Sequence, residues 1–328
     1  MSEFANELAE LVRGLATDTD DVSHWRTVQE LGLVTIGIAE DDGGSGGRLA
    51  DLLVVIRELA RAGIATPIVE ASTAAFAIGV PAHDAFDTVV VNRVVNLAAR
   101  ALTARAVVVP FAGQADRLVV VGDSDVIAVP LKQTGVAIEV ATDLAGLDAG
   151  QVRLNGAEYQ RVPDTADASA VVERLALARS AALLGSASGA YDLTRGYVAE
   201  RKQFGAPLAE IPAISAALAQ MAVRIRHAES AVERATDVCT EAGAPALRRF
   251  GAVTSARVAT ASMATLVART AHQLHGAVGV THEYGLHRYT RKLWAWRDAD
   301  EPERAWSGRL GAMALAVDEN TLWNQVLA

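Results

Sequence analysis

From Glu3 to about Ala82 the apolar positions recur at helical spacing. Leu8, Leu11, Val12 and Leu15 form one stripe, and Leu52, Val55, Ile56 and Leu59 form a second. Between them AEDDGGSGGRLADL places glycines at 43, 44, 46 and 47 ahead of a helix. A loop of this kind can cradle a phosphate, but Asp41 and Asp42 would repel the anion and the spacing is not the dinucleotide fingerprint. A plain turn between helices is expected.

From about Leu97 to Pro163 the texture changes to short apolar runs divided by turn residues, ARAVVVPF, RLVVV and VIAVPL. Val119–Val121 and Val126–Val129 flank Gly122-Asp123-Ser124-Asp125, which predicts a hairpin, and AIEVATDL and GQVRLNGAEY supply further strands. A small barrel or sandwich is expected. Helical periodicity returns from about Val171. Ile211, Ile214, Leu218, Met221, Ile225, Ala228, Val232 and Ala235 are spaced alternately by three and four, a heptad seam that predicts a long helix packed along its partners at a shallow angle. RLALARSAALLGSASGAYDLTRGYVAERK and TSARVATASMATLVARTAHQLHG, rich in alanine, have the composition of its neighbours.

With 328 residues and 51% hydrophobic content the chain can bury a sizeable core. A net charge of -9 and the lack of a basic stripe argue against nucleic acid as a partner. No apolar run reaches the roughly 18 uninterrupted residues a membrane span needs. The single cysteine, Cys239, cannot form an internal disulfide, and the chain does not open with a signal-peptide pattern, so the cytoplasm is the expected location.

Two helix ends in the last zone carry candidate chemistry. In Tyr197–Leu208, YVAERKQFGAPL, Gly205 can cap one helix and Pro207 open the next, and Arg201 and Gln203 beside free N–H groups would suit a pyrophosphate. In Gln273–Gly279, QLHGAVG, a helix runs into a glycine-rich exit that lets a ligand approach the backbone. His272, His275, His282 and His287 are close in sequence but match no zinc spacing, and packing is the simpler reading for Trp294, Trp296 and Trp306.

Together and in this order, WRTVQELGLVTIGIAEDDGGSGG, ERKQFGAPL and QLHGAVGVTHEYGLHRYTR closely resemble the acyl-CoA dehydrogenase family, and the resemblance covers nearly the whole chain. It implies an α+β, mainly α fold, with an N-terminal helical domain over 1–95, an abbreviated middle β domain over 96–165 and a C-terminal four-helix bundle over 166–328. It also implies α,β-dehydrogenation of an acyl-CoA thioester, with a glutamate taking the α proton while the β hydride passes to FAD. Arg201, Gln203 and Phe204, together with Gln273, Gly276 and Ala277, would then bind the FAD of an adjacent subunit.

The departures from the family pattern are as informative. In HRYTRKLWAWRDADEPE, ending at Glu303, the family's glutamate position falls on Arg297, and the following Gly-Thr pair becomes Asp298-Ala299. The alternative base position on an earlier helix falls on Leu175. Glu173 stands two residues away, about 200° around the helix. The flavin-contacting Thr-Glu-Pro and Gly-Ser-Asp loop has no match between Leu97 and Asp116, and Ile211-Pro212 and Ala277 replace further family residues. Determinants that reach a neighbour's flavin are kept, and those serving the chain's own flavin and substrate are missing.

The resemblance therefore points to the short, base-less subunit of a hetero-oligomeric, α2β2-type acyl-CoA dehydrogenase. Its longer partner would hold the glutamate, and its electron acceptor would resemble an electron-transfer flavoprotein. A self-sufficient homo-oligomer using Glu173, Asp298 or Asp300 as base, and a non-catalytic acyl-CoA-binding or scaffolding relative, are the alternatives.

Overall fold

The structure, a computed structural model, describes residues 3–15, 21–81, 85–91, 102–162 and 167–326. The expected boundaries at 95/96 and 165/166, and the outer limits of the expected β stretch at Leu97 and Pro163, lie outside those residues. The chain divides into two compact units, Met1–Leu8, Asp18–Val55 and Ala65–Ala178 in the first, and Ala9–Thr17, Ile56–Ile64 and Arg179–Ala328 in the second.

Among the described residues four helices come first: α1 (Glu3–Leu15), α2 (Asp21–Glu30), α3 (Leu49–Arg61) and α4 (Ile68–Ile78). On α1, Leu8 and Val12 are buried as expected, but Leu11 is exposed and Leu15 half-buried, because the buried stripe runs through Ala5, Leu8, Ala9 and Val12. On α3, Leu52, Val55, Ile56 and Leu59 are all buried, each contributing about 1.5–3 kcal/mol. The glycine-rich segment before α3 is a tight turn closed on itself by a bridge between Ile38 and Gly46. A Cβ on Gly44 would stand 2.3 Å from the Ile38 carbonyl oxygen, so only glycine fits where the turn folds back on itself.

Seven strands come next among the described residues: β1 (Asp87–Val91), β2 (Leu102–Pro110), β3 (Arg117–Val121), β4 (Val126–Pro130), β5 (Val136–Glu139), β6 (Ala149–Ala157) and β7 (Gln160–Arg161). Among the described residues they form two sheets, ordered β1-β3-β4-β7 and β2-β6-β5. The hairpin is where the turn chemistry placed it, with Val121 opposite Val126 and the Gly122 N–H donating to Asp125 O at 2.8 Å. β1 lies ahead of residue 96 and joins the sheet parallel to β3, held at its start by a two-bonded pair in which Arg117 donates to buried Asp87 at 2.9 and 2.7 Å.

Among the described residues the remainder is mainly helical, with α5 (Ala168–Glu200), α6 (Pro212–Thr240), α7 (Ala246–His275), α8 (His287–Arg297) and α9 (Glu303–Ala316) as its long helices. The first turns of α5 belong to the first unit, where the guanidinium of Arg174 donates to Ile36 O at 2.9 Å and lies 4.8 Å over the Phe76 ring. In the second unit α6 packs along α7. Met221, Ala228, Val232 and Ala235 of its seam are buried, whereas Ile211, Ile214, Leu218 and Ile225 are only half-buried. Gly185 and Gly189 of α5 bring that helix onto α3, since a Cβ at either position would stand 2.1 Å from Arg57 O or 2.6 Å from Arg61 O.

Candidate functional site

α5 ends at Glu200, and the Arg201 N–H closes its last turn by donating to Tyr197 O at 2.9 Å. Beyond it the chain does not form the expected helical corner. Lys202–Gln203 (β8) pairs with Ala206–Pro207 (β9) around Phe204 and Gly205, whose φ angles of 53° and 86° are those of a type I′ turn. Gly205 is thus a hairpin residue and not a helix cap, and it is Pro212 that opens α6. A phenylalanine with positive φ is strained, and this one is 93% exposed. Arg201 and Gln203 are exposed beside it.

α7 ends at His275 and passes into the turn Gly276–Val280. Gly276 has φ 61° and ψ −139°, a conformation that only glycine adopts without strain, and a Cβ there would meet nothing within 4 Å. Gln273, Gly276 and Ala277 are exposed, as are Val278 and Val280.

Three rings bring these two segments to one end of the second unit. Tyr197 stacks on His275 with centroids 4.5 Å apart, and Tyr284 closes on both, 5.0 Å from His275 and 5.8 Å from Tyr197. The Tyr197 hydroxyl donates to His275 O at 3.4 Å, and His272 Nε2 meets Thr290 Oγ1 of α8 at 2.9 Å. Burial lowers the pKa of both histidines and raises that of Tyr284. Nothing in the spacing of Tyr197, His275 and Tyr284 forecast this cluster, because no periodic pattern links residues on different elements.

Five of the six candidate cofactor residues therefore lie on two exposed turns, and Gln273 lies on the last turn of α7 beside them. The arrangement suits a ligand delivered from outside the chain: a guanidinium and two side-chain amides for an anionic or polar group, an aromatic ring to lie against a flat one, and open backbone at Gly276 for close approach. The surrounding apolar side chains, Phe204, Val278 and Val280, are of the kind that an interface covers.

At the other end of α8, Arg297 is a bound cation. Its Nε donates to Asp298 Oδ2 at 3.0 Å, its Nη1 to Thr265 Oγ1 at 3.1 Å, and its guanidinium lies 4.8 Å over the Trp294 ring. Asp300, with φ 65°, is buried in an ion pair with Arg179, whose Nε donates to Asp300 Oδ2 at 2.9 Å. Beside this pair lies Arg257, fully buried, whose Nη2 reaches the carbonyls of Arg297 and Ala299 at 3.4 Å and whose pKa burial lowers to about 10. Glu173 is half-buried on α5 in the first unit, while Leu175 is buried. Trp296 and Trp306 are buried and Trp294 half-buried. Among the described residues no group of three or more His, Cys, Asp or Glu side chains is placed to hold a metal ion, and no helix is long and apolar enough to cross a membrane.

Comparison with known proteins agrees with this architecture. The acyl-CoA dehydrogenase N-terminal domain matches residues 2–83 and the acyl-CoA dehydrogenase C-terminal domain matches residues 165–297. The acyl-CoA dehydrogenase IpdE2 of Mycobacterium tuberculosis is 26% identical over 275 residues, covering 83% of this chain and 80% of that protein. Among solved structures, the Tcur3481-Tcur3483 steroid ACAD superposes with a TM-score of 0.85 at 22% identity, covering 95% of this chain and 98% of that one. The ChsE4-ChsE5 complex from Mycobacterium tuberculosis gives 0.83 at 22% identity, covering 97% and 98%. The chain belongs to the acyl-CoA dehydrogenase family.

Proposed function

We propose that this chain is the base-less subunit of a hetero-oligomeric acyl-CoA dehydrogenase, completing the FAD site of a longer partner that carries the catalytic glutamate. The observation that carries the reading is a division of labour. The residues suited to FAD stand exposed on two turns and the end of α7, whereas Asp298 and Asp300, near the expected base position, are already committed to cations of the same chain.

The reaction removes two hydrogens from adjacent carbons of a CoA thioester, the α hydrogen as a proton and the β hydrogen as a hydride. FAD, when bound, supplies the hydride acceptor. In this chain Arg201 offers a charge-assisted donor to the pyrophosphate, with Gln203 and Gln273 as further hydrogen-bonding groups. Phe204 offers an aromatic face, and the Gly276-Ala277 backbone admits the cofactor at close range. Arg297 cannot take up the α proton, being a permanent cation bound to Asp298 and Thr265. Asp300 is already engaged by Arg179, whose Nε donates to its Oδ2 at 2.9 Å, so it is not free to reach the α carbon of a substrate. A partner's carboxylate is therefore the proton acceptor in this reading, and association is part of catalysis.

Two of the relatives bear on substrate and assembly. One is named as a steroid ACAD and another as a two-protein complex. A CoA thioester of a steroid-derived acid is accordingly the substrate class to try first, in the cytoplasm, with an electron-transfer flavoprotein as acceptor.

The visible absorbance of the chain purified alone, and again after co-expression with a longer acyl-CoA dehydrogenase, tests this reading. Flavin bands only in the complex, at about one FAD per pair of chains, are expected. Stoichiometric flavin and turnover by the single chain would overturn it.

A further inference from the structure

His275 is a buried imidazole, 3% exposed, at the last position of α7 and directly before the turn that carries Gly276 and Ala277. Its Nδ1 lies 2.8 Å from Ala271 O. A carbonyl only accepts, so the proton of the neutral ring sits on Nδ1 and Nε2 is left as a lone pair. Nε2 is buried and has no hydrogen-bond partner among the described residues. The ring lies against Tyr197, nearly parallel at an interplanar angle of 23°, and meets Tyr284 tilted by 57°.

The stem of the same residue abuts the adjoining turn. A Cβ on buried Gly279 would come within 2.7 Å of the His275 Cβ, so the turn lies flush against the base of this side chain. The Tyr197 hydroxyl bonds the His275 carbonyl itself. Both contacts are made by the stem and main chain of His275, so a backbone shift that brings the ring out to solvent would disturb both.

The titratable and charged groups around the ring are few. His272 faces it from α7, Tyr197 from α5, and Tyr284, with Glu200 near its hydroxyl, from the segment ahead of α8. A second proton on the ring would create an N–H with no acceptor in a site closed to water, beside a second histidine. Attraction between the imidazolium and the two phenol rings offsets part of this cost. Burial outweighs it, and the His275 pKa lies below its ordinary value.

We propose that His275 is a positioning residue, holding the Gly276–Val280 turn in its cofactor-facing conformation only while its ring is neutral, so that the assembled complex gives up FAD as the pH falls. The cofactor half of this statement rests on the shared-site reading above, and the turn half does not.

Hydrogen exchange of the 276–280 amides, corrected for intrinsic chemistry and followed between pH 7.5 and 5, reads the turn in the full chain. Fluorescence of released flavin reads the cofactor in the co-expressed complex. Once the ring titrates, opening of the turn should rise by up to roughly tenfold per pH unit, the slope of a single coupled proton, and flavin release should track the same curve. His275→Phe keeps an aromatic stack but cannot titrate, and should flatten both curves. Should that variant fold poorly, ring nitrogen shifts of wild-type His275 must show it titrating over the range in which the turn opens. Exchange that does not change with pH in the wild type, or an unchanged response in His275→Phe, overturns the proposal. A complex that carries no flavin at pH 7.5, in a chain whose turn still opens with acid, overturns the shared-site reading and its cofactor consequence, leaving the role in the turn intact.

Discussion

Asp300 accepts from Arg179 Nε at 2.9 Å with both side chains almost fully buried, and Asp300 holds a left-handed backbone angle to do so. The pair lies beside a second buried cation, Arg257. Asp300→Ala should therefore cost about 3–5 kcal/mol in denaturant unfolding, because it leaves two buried guanidinium groups facing one another without their carboxylate. The double variant Arg179→Met with Asp300→Ala should lose less than the sum of the two single changes. If Asp300 were instead a catalytic base, Asp300→Ala in the complex would abolish turnover while the folded fraction stayed normal.

Gly185 marks the closest approach of α5 to α3. An added Cβ would stand 2.1 Å from the Arg57 carbonyl oxygen and 2.8 Å from Ala60 Cβ, so the helices must separate to admit Gly185→Ala. We expect a loss of about 1–3 kcal/mol or more, read as a lower denaturation midpoint. Gly276→Ala has no such clash, and its cost should be of backbone origin alone, about 1–3 kcal/mol.

Arg201→Ala and Phe204→Ala should change unfolding stability by no more than about 0.5 kcal/mol, since both side chains are exposed in the free chain. In the complex, loss of a charge-assisted bond at Arg201, worth about 1.5–3 kcal/mol, should weaken flavin retention by roughly tenfold to a hundredfold. Equilibrium dialysis of FAD against the assembled protein checks this. Equal retention by Arg201→Ala and wild type would remove that residue from the cofactor site.

Acid should weaken the second unit before any carboxylate titrates. Burial lowers the pKa of His272 and His275 from an ordinary value of 6.5, so the unfolded chain takes up protons that the folded chain refuses. Their contribution to stability is whole above that pH and shrinks as the pH falls through it. Thermal midpoints measured between pH 8 and 5 should decline below about 6.5, with less decline in a variant lacking both imidazoles.

The long helices, the β3–β4 hairpin and the family were all legible in the chain, because each depends on local periodicity, turn residues or contiguous motifs. Leu52, Val55, Ile56 and Leu59 announced a buried face by their spacing, and Gly122–Asp125 announced a turn by their chemistry. Leu11 misled because periodicity names a face without saying how wide a strip its neighbours cover.

The ERKQFG stretch marks the other limit. The residue types were plain from the chain, down to the absence of a carboxylate at Arg297, since identity at a position needs no coordinates. Their conformation was not. Whether Gly205 caps a helix or turns a hairpin depends on how the ends of α5 and α6 are held, and those ends are set by packing. The pairing of Tyr197 with His275, the burial of Arg257 and the commitment of Asp300 to Arg179 likewise join residues far apart in the chain. Such contacts arise only when helices pack, and packing geometry is a property of many side chains at once that no single stretch of sequence encodes.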